Sequence, residues 1–467
     1  MYEWLKVQAE QQPDKTAVVY EDQHLSFKSL YKEALKLSRH LKRLDRNRLG
    51  LYIGNTLEAV VLVHASMIAG IEIVLINTRL TAREITVQLG DIDVDTVITT
   101  KPLELEGHRL YDLTDLYELE PLSYNVDPPT GGTTLSIMFT SGTTGRAKAV
   151  PQSYRNHFTS AKGCEQRFGY GHASIWMNVN PIYHISGFSI LMRSVIAGCP
   201  MVLVGKFDEA RIWQKVVEYG VTHTSMVPIM LKRLMAHPIP DHNLEGVLLG
   251  GAGVTREVLK EALSKGLPVY NSFGMTETCS QIVSIGPGDP KILEGTAGRA
   301  LDNVEVAIDH ANDGEILVKG GPVIGHYLNA DIEITEKFFR TGDMGYLDEE
   351  GYLYILDRRK DLIISGGENI YPKEIEDAAN AYEKVANSAV VKRQDDEWGE
   401  VPVLMIEAVP GETIDERTLI LHLKARLARY KLPKDIKVVE NIIMTSTGKV
   451  SRGQNQQFYD QSESRKQ

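Results

Sequence analysis

Short apolar runs alternate with longer amphipathic segments over most of the chain. The clearest runs are LGLYIG at 49–54, EIVLIN at 72–77, DTVITT at 95–100 and PMVLVG at 200–205, the last followed by a helical stretch to Tyr219. Short runs rich in Val and Ile, separated by segments of helix length, are typical of parallel strands that alternate with helices. The pattern therefore predicts a large α/β domain as far as about residue 350.

The pattern changes after Gly314. Alternating runs at 315–320 and 351–356 predict an antiparallel or barrel-like subregion. The charged run DRRKD, 357–361, has the composition of an exposed linker. Beyond it, a smaller α+β domain is predicted from helices near 371–382 and 415–430 and strands near 388–393, 401–409 and 437–440.

We therefore expect a large domain over 1–356, a hinge at 357–361 and a smaller domain over 362–467. The polar residues from about Gly453 onwards are expected to be frayed or disordered.

Composition narrows the class of function. The chain has 467 residues with 51 Lys and Arg against 62 Asp and Glu, a formal net charge of −11. It has no basic excess to attract nucleic acid or an anionic membrane, so small-molecule chemistry is favoured. The three cysteines are far apart and match neither a disulfide framework nor a C-x-x-C site, which favours a reducing cytoplasm. The first 15 residues are charged where a signal peptide is apolar, and polar residues interrupt the apolar stretch at 59–76. A soluble protein without a membrane anchor is expected.

A polar loop, TSGTTGRAK at 140–148, follows the apolar run at 135–139. Its glycines allow positive φ, so that backbone N–H groups turn inward, while its hydroxyls and Lys148 add donors and positive charge around a polyphosphate. The loop does not match G-x-x-x-x-G-K-[ST], the phosphate-binding motif that opens a helix. A polar hairpin turn would have the same composition, so the stretches downstream decide between the two interpretations.

Six further stretches follow this loop. They are PIYHISG (181–187), LLGGAG (248–253), SFGMTET (272–278), RTGDMG (340–345), DRRKDLIISGGENIYPKEIE (357–376) and TSTGKVSR (445–452). In this order and spacing, the set resembles the motif series of the adenylate-forming acyl- and aryl-CoA synthetase superfamily over nearly the whole chain. The resemblance implies an α/β large domain with a small β-barrel-like subregion, followed by a mobile α+β domain.

The resemblance also implies where ATP and Mg²⁺ bind. The β- and γ-phosphates are assigned to Thr140, Ser141, Gly142, Thr143, Thr144, Gly145 and Lys148. Thr276 is implied beside the α-phosphate and Glu277 near Mg²⁺, a cation that prefers oxygen ligands. The adenine pocket is assigned to Phe273, the neighbouring Ser272 and Gly274, and the backbone of 250–253, which includes Gly251. Asp343 and Arg358 are implied at the ribose. Taken alone, Thr276-Glu277 is also a helix-start signature, and Asp343 and Arg358 have the composition of a surface ion pair.

For the second domain, the resemblance implies alternation between two states. Lys449 is expected to bridge the acid carboxylate and the α-phosphate during adenylation only, and Lys360 to serve as the hinge. Rotation then replaces Lys449 by a face that meets coenzyme A, with Ser365, Gly366 and Gly367 in the segment that ends at Asn369. His184 is expected to flank the channel for acid and thiol.

Three segments, 152–158, 272–283 and 357–372, resemble a narrower branch, the 2-succinylbenzoate–CoA ligases of menaquinone biosynthesis. That branch implies conversion of 2-succinylbenzoate, ATP and coenzyme A to the acyl-CoA, AMP and pyrophosphate. A second carboxylate and a ketone require hydrogen-bond donors or a cation. The candidates are Arg155, His157, Arg193, Gly250, Ser280 and Gln281. The chain departs from the superfamily pattern at Ala147, where proline is usual, at Ala149, where glycine is usual, and at Phe273, where tyrosine is common.

Four alternatives stay open at this point. The first is a ligase of the same chemistry that takes a fatty, benzoate-like or coumarate-like acid. The second is a carrier-protein charging module, although no carrier domain with an acceptor serine is apparent after the small domain. The third is an oxidative enzyme of the luciferase type, and the fourth is a nucleotide-binding regulator without activity. The residues do not decide between a monomer and a homo-oligomer.

Overall fold

The computed structural model describes residues 2–125, 127–140, 147–251, 253–311, 314–331, 334–335, 338–358, 361, 363–365, 368–395, 398–427, 429–445 and 448–464. The helices are α1 Trp4–Gln11, α2 Phe27–Leu41, α3 Leu57–Ile68, α4 Ala82–Gly90, α5 Leu113–Glu118, α6 Tyr154–Phe168, α7 Ile185–Ala197, α8 Glu209–Glu218, α9 Pro228–Met235, α10 Arg256–Ser264, α11 Pro372–Asn380, α12 Glu416–Lys424 and α13 Arg452–Ser464. Short 3₁₀ helices span Lys42–Leu44, Thr276–Thr278, Pro290–Leu293 and Arg429–Lys431.

The strands up to the 3₁₀ helix at 276–278 are β1 Thr16–Tyr20, β2 Gln23–Ser26, β3 Arg48–Tyr52, β4 Glu72–Leu75, β5 Thr96–Thr99, β6 Arg109–Tyr111, β7 Thr134–Thr140, β8 Lys148–Ser153, β9 Trp176–Asn178, β10 Met201–Leu203, β11 His223–Met226, β12 Gly246–Leu249 and β13 Val269–Met275. The later strands are β14 Ser280–Ile285, β15 Arg299–Ala300, β16 Val304–Asp309, β17 Glu315–Gly320, β18 Ile334–Thr335, β19 Phe338–Leu347, β20 Leu353–Arg358, β21 Ile363–Ser365, β22 Glu368–Ile370, β23 Val385–Asp395, β24 Gly399–Ala408 and β25 Asp435–Val439.

Two mostly parallel sheets build the first part of the chain, as the alternating pattern predicts. One has the order β15-β14-β13-β12-β11-β9-β10-β1-β2 and the other β6-β5-β3-β4-β7-β8. Strands β11, β12 and β13 are parallel neighbours, so their carboxyl ends meet at one edge of the sheet. In open α/β sheets, ligands bind beyond the carboxyl ends of parallel strands. That edge therefore positions the residues described in the next section.

The helices that flank this edge begin and end where the sequence favours it. Helix α6 begins with a capping box in which Ser153 and Asn156 exchange side-chain to backbone hydrogen bonds, and it ends at Gly169 with φ 78°. Helix α7 ends at Gly198 with φ 67°. A left-handed glycine satisfies the last carbonyls of a helix without a Cβ clash, so the chain turns sharply there.

The later part of the chain has two further sheets. One has the order β16-β17-β19-β18, with β20 also paired to β19, and β19 is antiparallel to both β18 and β20. The other has the order β22-β21-β24-β23, with β25 pairing parallel to β24. The predicted antiparallel subregion and the α+β character of the end of the chain are therefore confirmed.

The expectation for the end of the chain is wrong over 453–464. Residues Arg452–Ser464 form helix α13, in which Asn455 and Tyr459 are buried. The sequence is polar because most of this helix faces water, while two side chains, four positions apart, reach the core.

The chain forms two compact units. One comprises Met1–Val306 with Val318–Phe339, and the other comprises Ala307–Leu317 with Arg340–Gln467. The boundaries at 356 and 362 and the hinge between them stay predictions. Among the described residues, no helix is both long enough and apolar enough to cross a membrane.

Candidate active site

The adenine-pocket candidates lie at the carboxyl ends of β12 and β13. The Ser272 hydroxyl donates to the Leu249 carbonyl over 2.7 Å and so joins the two strand ends. A Cβ on Gly250 would lie 3.2 Å from that hydroxyl oxygen, and Gly251 has φ 78°. Phe273 is largely buried. Glycines at this edge allow a planar ligand to approach the backbone closely.

The turn between β13 and β14 depends on Gly274. A Cβ there would lie 2.1 Å from the Ser280 carbonyl oxygen, which no side chain tolerates. Beyond the 3₁₀ helix, Cys279 and Ser280 have φ of 50° and 108°, values that L-residues rarely adopt. Strain of this kind persists only where the surrounding structure imposes it, and it is frequent at functional sites. The turn carries Thr276 and Glu277 on its 3₁₀ helix.

The Glu277 carboxylate is removed from water, with 5% of the residue exposed. The Tyr327 hydroxyl donates to Glu277 Oε1 over 3.1 Å, and the Ile324 N–H donates to the Glu277 carbonyl over 2.9 Å. Burial and the Glu277 charge raise the pKa of Tyr327 far above its ordinary value, so that hydroxyl keeps its proton and stays a donor. The Lys148 ammonium lies 4.7 Å from the centre of the Tyr327 ring. Tyr327 therefore contacts both Lys148 and Glu277.

Asn329 holds the start of strand β8. Its Oδ1 accepts from the Ala149 N–H over 2.8 Å, and its Nδ2 donates to the Ala147 carbonyl over 2.9 Å. These two bonds restrain the backbone at both positions where the chain carries alanine in place of the proline and glycine usual in the superfamily.

A chain of buried hydrogen bonds supports Thr276. Its carbonyl accepts from Gln152 Nε2 over 2.7 Å, and Gln152 Oε1 accepts from the Ser136 hydroxyl over 2.8 Å. His157 Nε2 lies 2.8 Å from the same hydroxyl oxygen. Since that hydroxyl has a single proton, which goes to Gln152, His157 is the donor through Nε2–H. Burial lowers the pKa of His157 to about 3, so its imidazole is neutral.

Arg193 is a buried cation on α7, with 1% of the residue exposed. Its Nη2 donates to the Ser280 hydroxyl over 2.9 Å and to Gln281 Oε1 over 3.3 Å. The guanidinium lies 5.5 Å from the Trp176 ring centre. Its Nε has no hydrogen-bond partner in the part of the chain that the structure describes, and no described carboxylate forms an ion pair with it. Three acid-site candidates, Arg193, Ser280 and Gln281, are thus brought together.

In the second unit, ion pairs hold the turn that bears Asp343. Arg340 Nη1 lies 2.8 Å from Asp309 Oδ2, and its Nη2 pairs with the buried Glu315. The other oxygen of Glu315 accepts from the Gly342 N–H over 2.9 Å, and Gly342 has φ 73°. Asp343 is largely buried. Its backbone lies opposite that of Arg358 in the antiparallel register of β19 and β20.

The remaining candidates occupy separate places. His184 occupies the N-cap position of α7, and its ring centre lies 4.8 Å from that of Tyr183. Arg155 does not join Arg193: it is exposed, and a Cβ on Gly131 would lie 3.1 Å from its Nε. Ser365 is buried at the end of β21, and Lys449 is exposed near the carboxyl end. Thr140 lies opposite Lys148 in the antiparallel register of β7 and β8, next to the loop that joins them. Residues outside the described part include Ser141, Gly142, Thr143, Thr144, Gly145, Lys360, Gly366 and Gly367.

Sequence reasoning missed Tyr327, Asn329, Gln152 and Ser136. Tyr327 and Asn329 lie in GHYLN, a stretch without a motif of known chemistry, and Tyr327 meets Glu277 across 50 positions of sequence. Gln152 and Ser136 face each other across the strand pair β7–β8. A polar residue at an inward strand position was the one available signal, because such a group needs a buried partner.

Comparison with known proteins agrees with this arrangement. The AMP-binding enzyme family matches residues 5–328, and the AMP-binding enzyme C-terminal domain matches residues 374–449. The chain belongs to the AMP-binding enzyme family. Within that family, it is 44% identical over 462 residues to a 2-succinylbenzoate–CoA ligase of Staphylococcus epidermidis, with 96% of each chain covered.

Solved structures extend the likeness of this AMP-binding enzyme. An o-succinylbenzoate CoA synthetase from Bacillus subtilis in complex with the acyl-adenylate intermediate OSB-AMP superposes with a TM-score of 0.92 at 33% identity, over 97% of each chain. The same Bacillus subtilis enzyme in complex with ATP and magnesium ion gives 0.91 at 33% identity, over 97% of this chain and 98% of that chain. The adenylate-forming fold expected from the motifs is therefore confirmed.

Three buried histidines determine how the free energy of unfolding should change at acidic pH. Burial lowers the pKa of His157 to about 3 and those of His64 and His223 to about 4, against 6.5 in the unfolded chain. Below pH 6.5 the unfolded state therefore binds more protons. The free energy of unfolding should fall between pH 6.5 and 4, by up to about 1.4 kcal/mol per pH unit for each histidine.

Urea unfolding at pH 7, 6, 5 and 4.5 checks this slope. The His157→Gln variant lacks one of the three groups. Its free energy of unfolding should therefore change less steeply with pH, by the equivalent of one bound proton. An identical slope in the variant and the parent chain would contradict the neutral, buried state assigned to His157.

Proposed function

We propose that the chain is an ATP-dependent, AMP-forming ligase that joins 2-succinylbenzoate to coenzyme A in menaquinone biosynthesis. The likeness along the whole chain to ligases of that name supports the reaction. The observation that carries the choice of acid is the buried Arg193 with a free Nε edge. The three cysteines, all free and buried thiols, are compatible with a cytoplasmic location.

Arg193 suits an acid with two carboxylates. Burying a guanidinium without a counter-charge costs roughly several kcal/mol, and a carboxylate ligand would offset much of that cost. The Ser280 hydroxyl and the Gln281 amide lie beside the guanidinium as further polar partners. We assign the ring carboxylate of 2-succinylbenzoate to this group. The carboxylate of the succinyl arm then remains for activation.

In the first half-reaction, an oxygen of that carboxylate attacks the α-phosphorus of ATP and pyrophosphate leaves. Lys148 and the 140–148 loop bind the β- and γ-phosphates, and the Tyr327 ring and Asn329 hold the strand and lysine in place. Lys449 stabilises the charge that gathers between carboxylate and α-phosphate. Asp343 accepts the ribose hydroxyls, with Arg358 as a donor to the same sugar. Phe273 stacks on adenine.

The residues present fit Mg²⁺ bound with ATP. Glu277 supplies a buried carboxylate, and the described residues hold no group of three acidic, histidine or cysteine side chains that would form a full protein cage. Mg²⁺ typically takes one or two carboxylates and completes its shell with water and substrate phosphates. When bound, it would neutralise phosphate charge in the transition state. The hydrogen bond from the Tyr327 hydroxyl fixes one oxygen of this carboxylate.

In the second half-reaction, the thiol of coenzyme A attacks the carbonyl carbon of the acyl-adenylate. The bond to the AMP oxygen breaks, AMP carries the electron pair away, and the thiol proton passes to solvent or a nearby base. His184 flanks the path of acid and thiol. For this step the smaller domain turns about the 357–361 segment and presents Ser365, Gly366 and Gly367 in place of Lys449. Neither half-reaction uses a covalent enzyme nucleophile.

A panel of acids tests this proposal. The purified protein is incubated with Mg²⁺, ATP, coenzyme A and one acid at a time: 2-succinylbenzoate, 4-oxo-4-phenylbutanoate, benzoate, 4-coumarate or decanoate. Mass spectrometry follows AMP and the thioester. We expect 2-succinylbenzoate to be converted with by far the highest kcat/KM. Preference for another acid would refute the assigned substrate, and no AMP with any acid would favour a regulator without activity.

The Arg193→Gln variant tests the site for the second carboxylate. A charged hydrogen bond contributes about 1.5–3 kcal/mol, so kcat/KM for 2-succinylbenzoate should fall about 10- to 100-fold. The analogue 4-oxo-4-phenylbutanoate lacks the ring carboxylate, and its kcat/KM should change less than about 3-fold by the same argument. Arg193→Lys, which keeps the charge, should fall between. An equal loss for both acids would contradict the assignment, since general damage to the site affects both.

A further inference from the structure

The loop that carries Lys449 is a β-hairpin. Met444 and Val450 form an antiparallel bridge, and the Ser451 N–H donates to the Ile443 carbonyl over 2.9 Å. Nearer the tip, the Thr445 N–H donates to the Lys449 carbonyl over 2.6 Å, and the Thr445 hydroxyl accepts from the Lys449 N–H over 3.1 Å. Lys449 therefore has a defined backbone although its side chain is exposed.

Helix α13 pins the base of this hairpin through Asn455. This side chain is fully buried, its Oδ1 accepts from the Ile443 N–H over 3.1 Å, and its Nδ2 donates to the Ile443 and Ser451 carbonyls over 2.9 Å each. Both strands of the hairpin are thus bound to one amide. Hairpin and helix move as one piece unless these bonds break.

Arg452, three residues after Lys449, joins that piece to the rest of the smaller unit. Its Nε and Nη2 form a fork on Glu376, with Nε–Oε1 of 3.0 Å and Nη2–Oε2 of 2.7 Å. Glu376 belongs to α11, its side chain is 7% exposed, and its Oε1 also accepts from the Val390 N–H over 2.8 Å. The remaining guanidinium nitrogen of Arg452, Nη1, lies 3.0 Å from Asp361 Oδ2. Asp361 closes the predicted hinge segment 357–361.

The geometry of this cluster suits positioning better than stability. A buried ion pair gives little net stability, because desolvation of both charges offsets their attraction. A planar guanidinium that spans two carboxylates does, however, fix a direction, which a lysine cannot do. The direction fixed here is that of the hairpin.

We propose that Arg452 is the positioning residue for Lys449. Its bond to Asp361 fixes the position of the hairpin relative to that end of the predicted hinge segment. The inference rests on the adenylation role assigned to Lys449 under the proposed function. Arg452 acts through Lys449 and contacts no substrate. A displacement of a catalytic group by about 1 Å costs on the order of 100-fold in rate, so loss of the fork should impair adenylation selectively.

A double-mutant cycle tests the inference in the full-length protein. Arg452→Lys, Lys449→Ala and the double variant are assayed in each half-reaction: adenylation by ATP–pyrophosphate exchange with 2-succinylbenzoate, and thioester formation from supplied acyl-adenylate and coenzyme A. Arg452→Lys should slow adenylation about 10- to 100-fold and thioester formation less than about 3-fold. In the Lys449→Ala background, Arg452→Lys should cause no further loss, because its effect passes through the missing ammonium.

Two control variants separate positioning from damage to the fold. Asp361→Asn leaves the Glu376 fork in place and should give a smaller loss with the same preference for adenylation, which decides the matter if Arg452→Lys fails to fold. Lys384→Gln breaks an exposed ion pair of 2.9 Å with Glu412 in the same unit and should change neither half-reaction.

Equal loss of both half-reactions in Arg452→Lys, or additive loss in the double variant, would overturn the inference. A failure of the proposed function looks different: the parent chain itself would then show no ATP–pyrophosphate exchange with 2-succinylbenzoate. Intact adenylation in Lys449→Ala would remove the role of Lys449, and the role of Arg452 would fall with it.

Discussion

A carboxylate taken out of water must be compensated, and much of the candidate site follows from this requirement at Glu277. Isolated buried charges are so costly that native structures surround them with donors and cations. Here the side chain accepts from Tyr327 and the backbone carbonyl from Ile324, while Lys148 lies against the Tyr327 ring. Segments distant in sequence are thus held around one carboxylate, and Lys148 is positioned by the same contacts.

The strained turn beside Glu277 follows from the same constraint. The chain that carries Glu277 reverses between the antiparallel strands β13 and β14 within a few residues. Gly274 allows the close approach of backbone that this needs, and the positive φ of Ser280 completes it. Gln152 then secures the Thr276 carbonyl from the neighbouring sheet. Arg193, which donates to Ser280, ties the same turn to α7, so the nucleotide and acid candidates share one support.

Local patterns predicted the elements well, but long-range contacts escaped them. The run at 49–54 predicted a strand, and β3 spans Arg48–Tyr52, because a short apolar run is a property of neighbouring residues. The motifs located Glu277 for a similar reason. Tyr327 was missed, since its partner lies 50 positions away. Helix α13 was missed because its burial depends on Asn455 and Tyr459 meeting a surface built by other strands. Polarity of sequence does not reveal such a surface.

The central claim is that a carboxylate oxygen becomes bonded to the α-phosphorus of ATP. The most direct measurement uses 2-succinylbenzoate labelled with ¹⁸O in its carboxylates, together with unlabelled ATP, Mg²⁺ and coenzyme A. Mass spectrometry then follows the label in the nucleotide and phosphate products. An acyl-adenylate route leaves one ¹⁸O in AMP for each thioester formed. Label in inorganic phosphate with ADP as the product, or AMP free of label, would contradict the account.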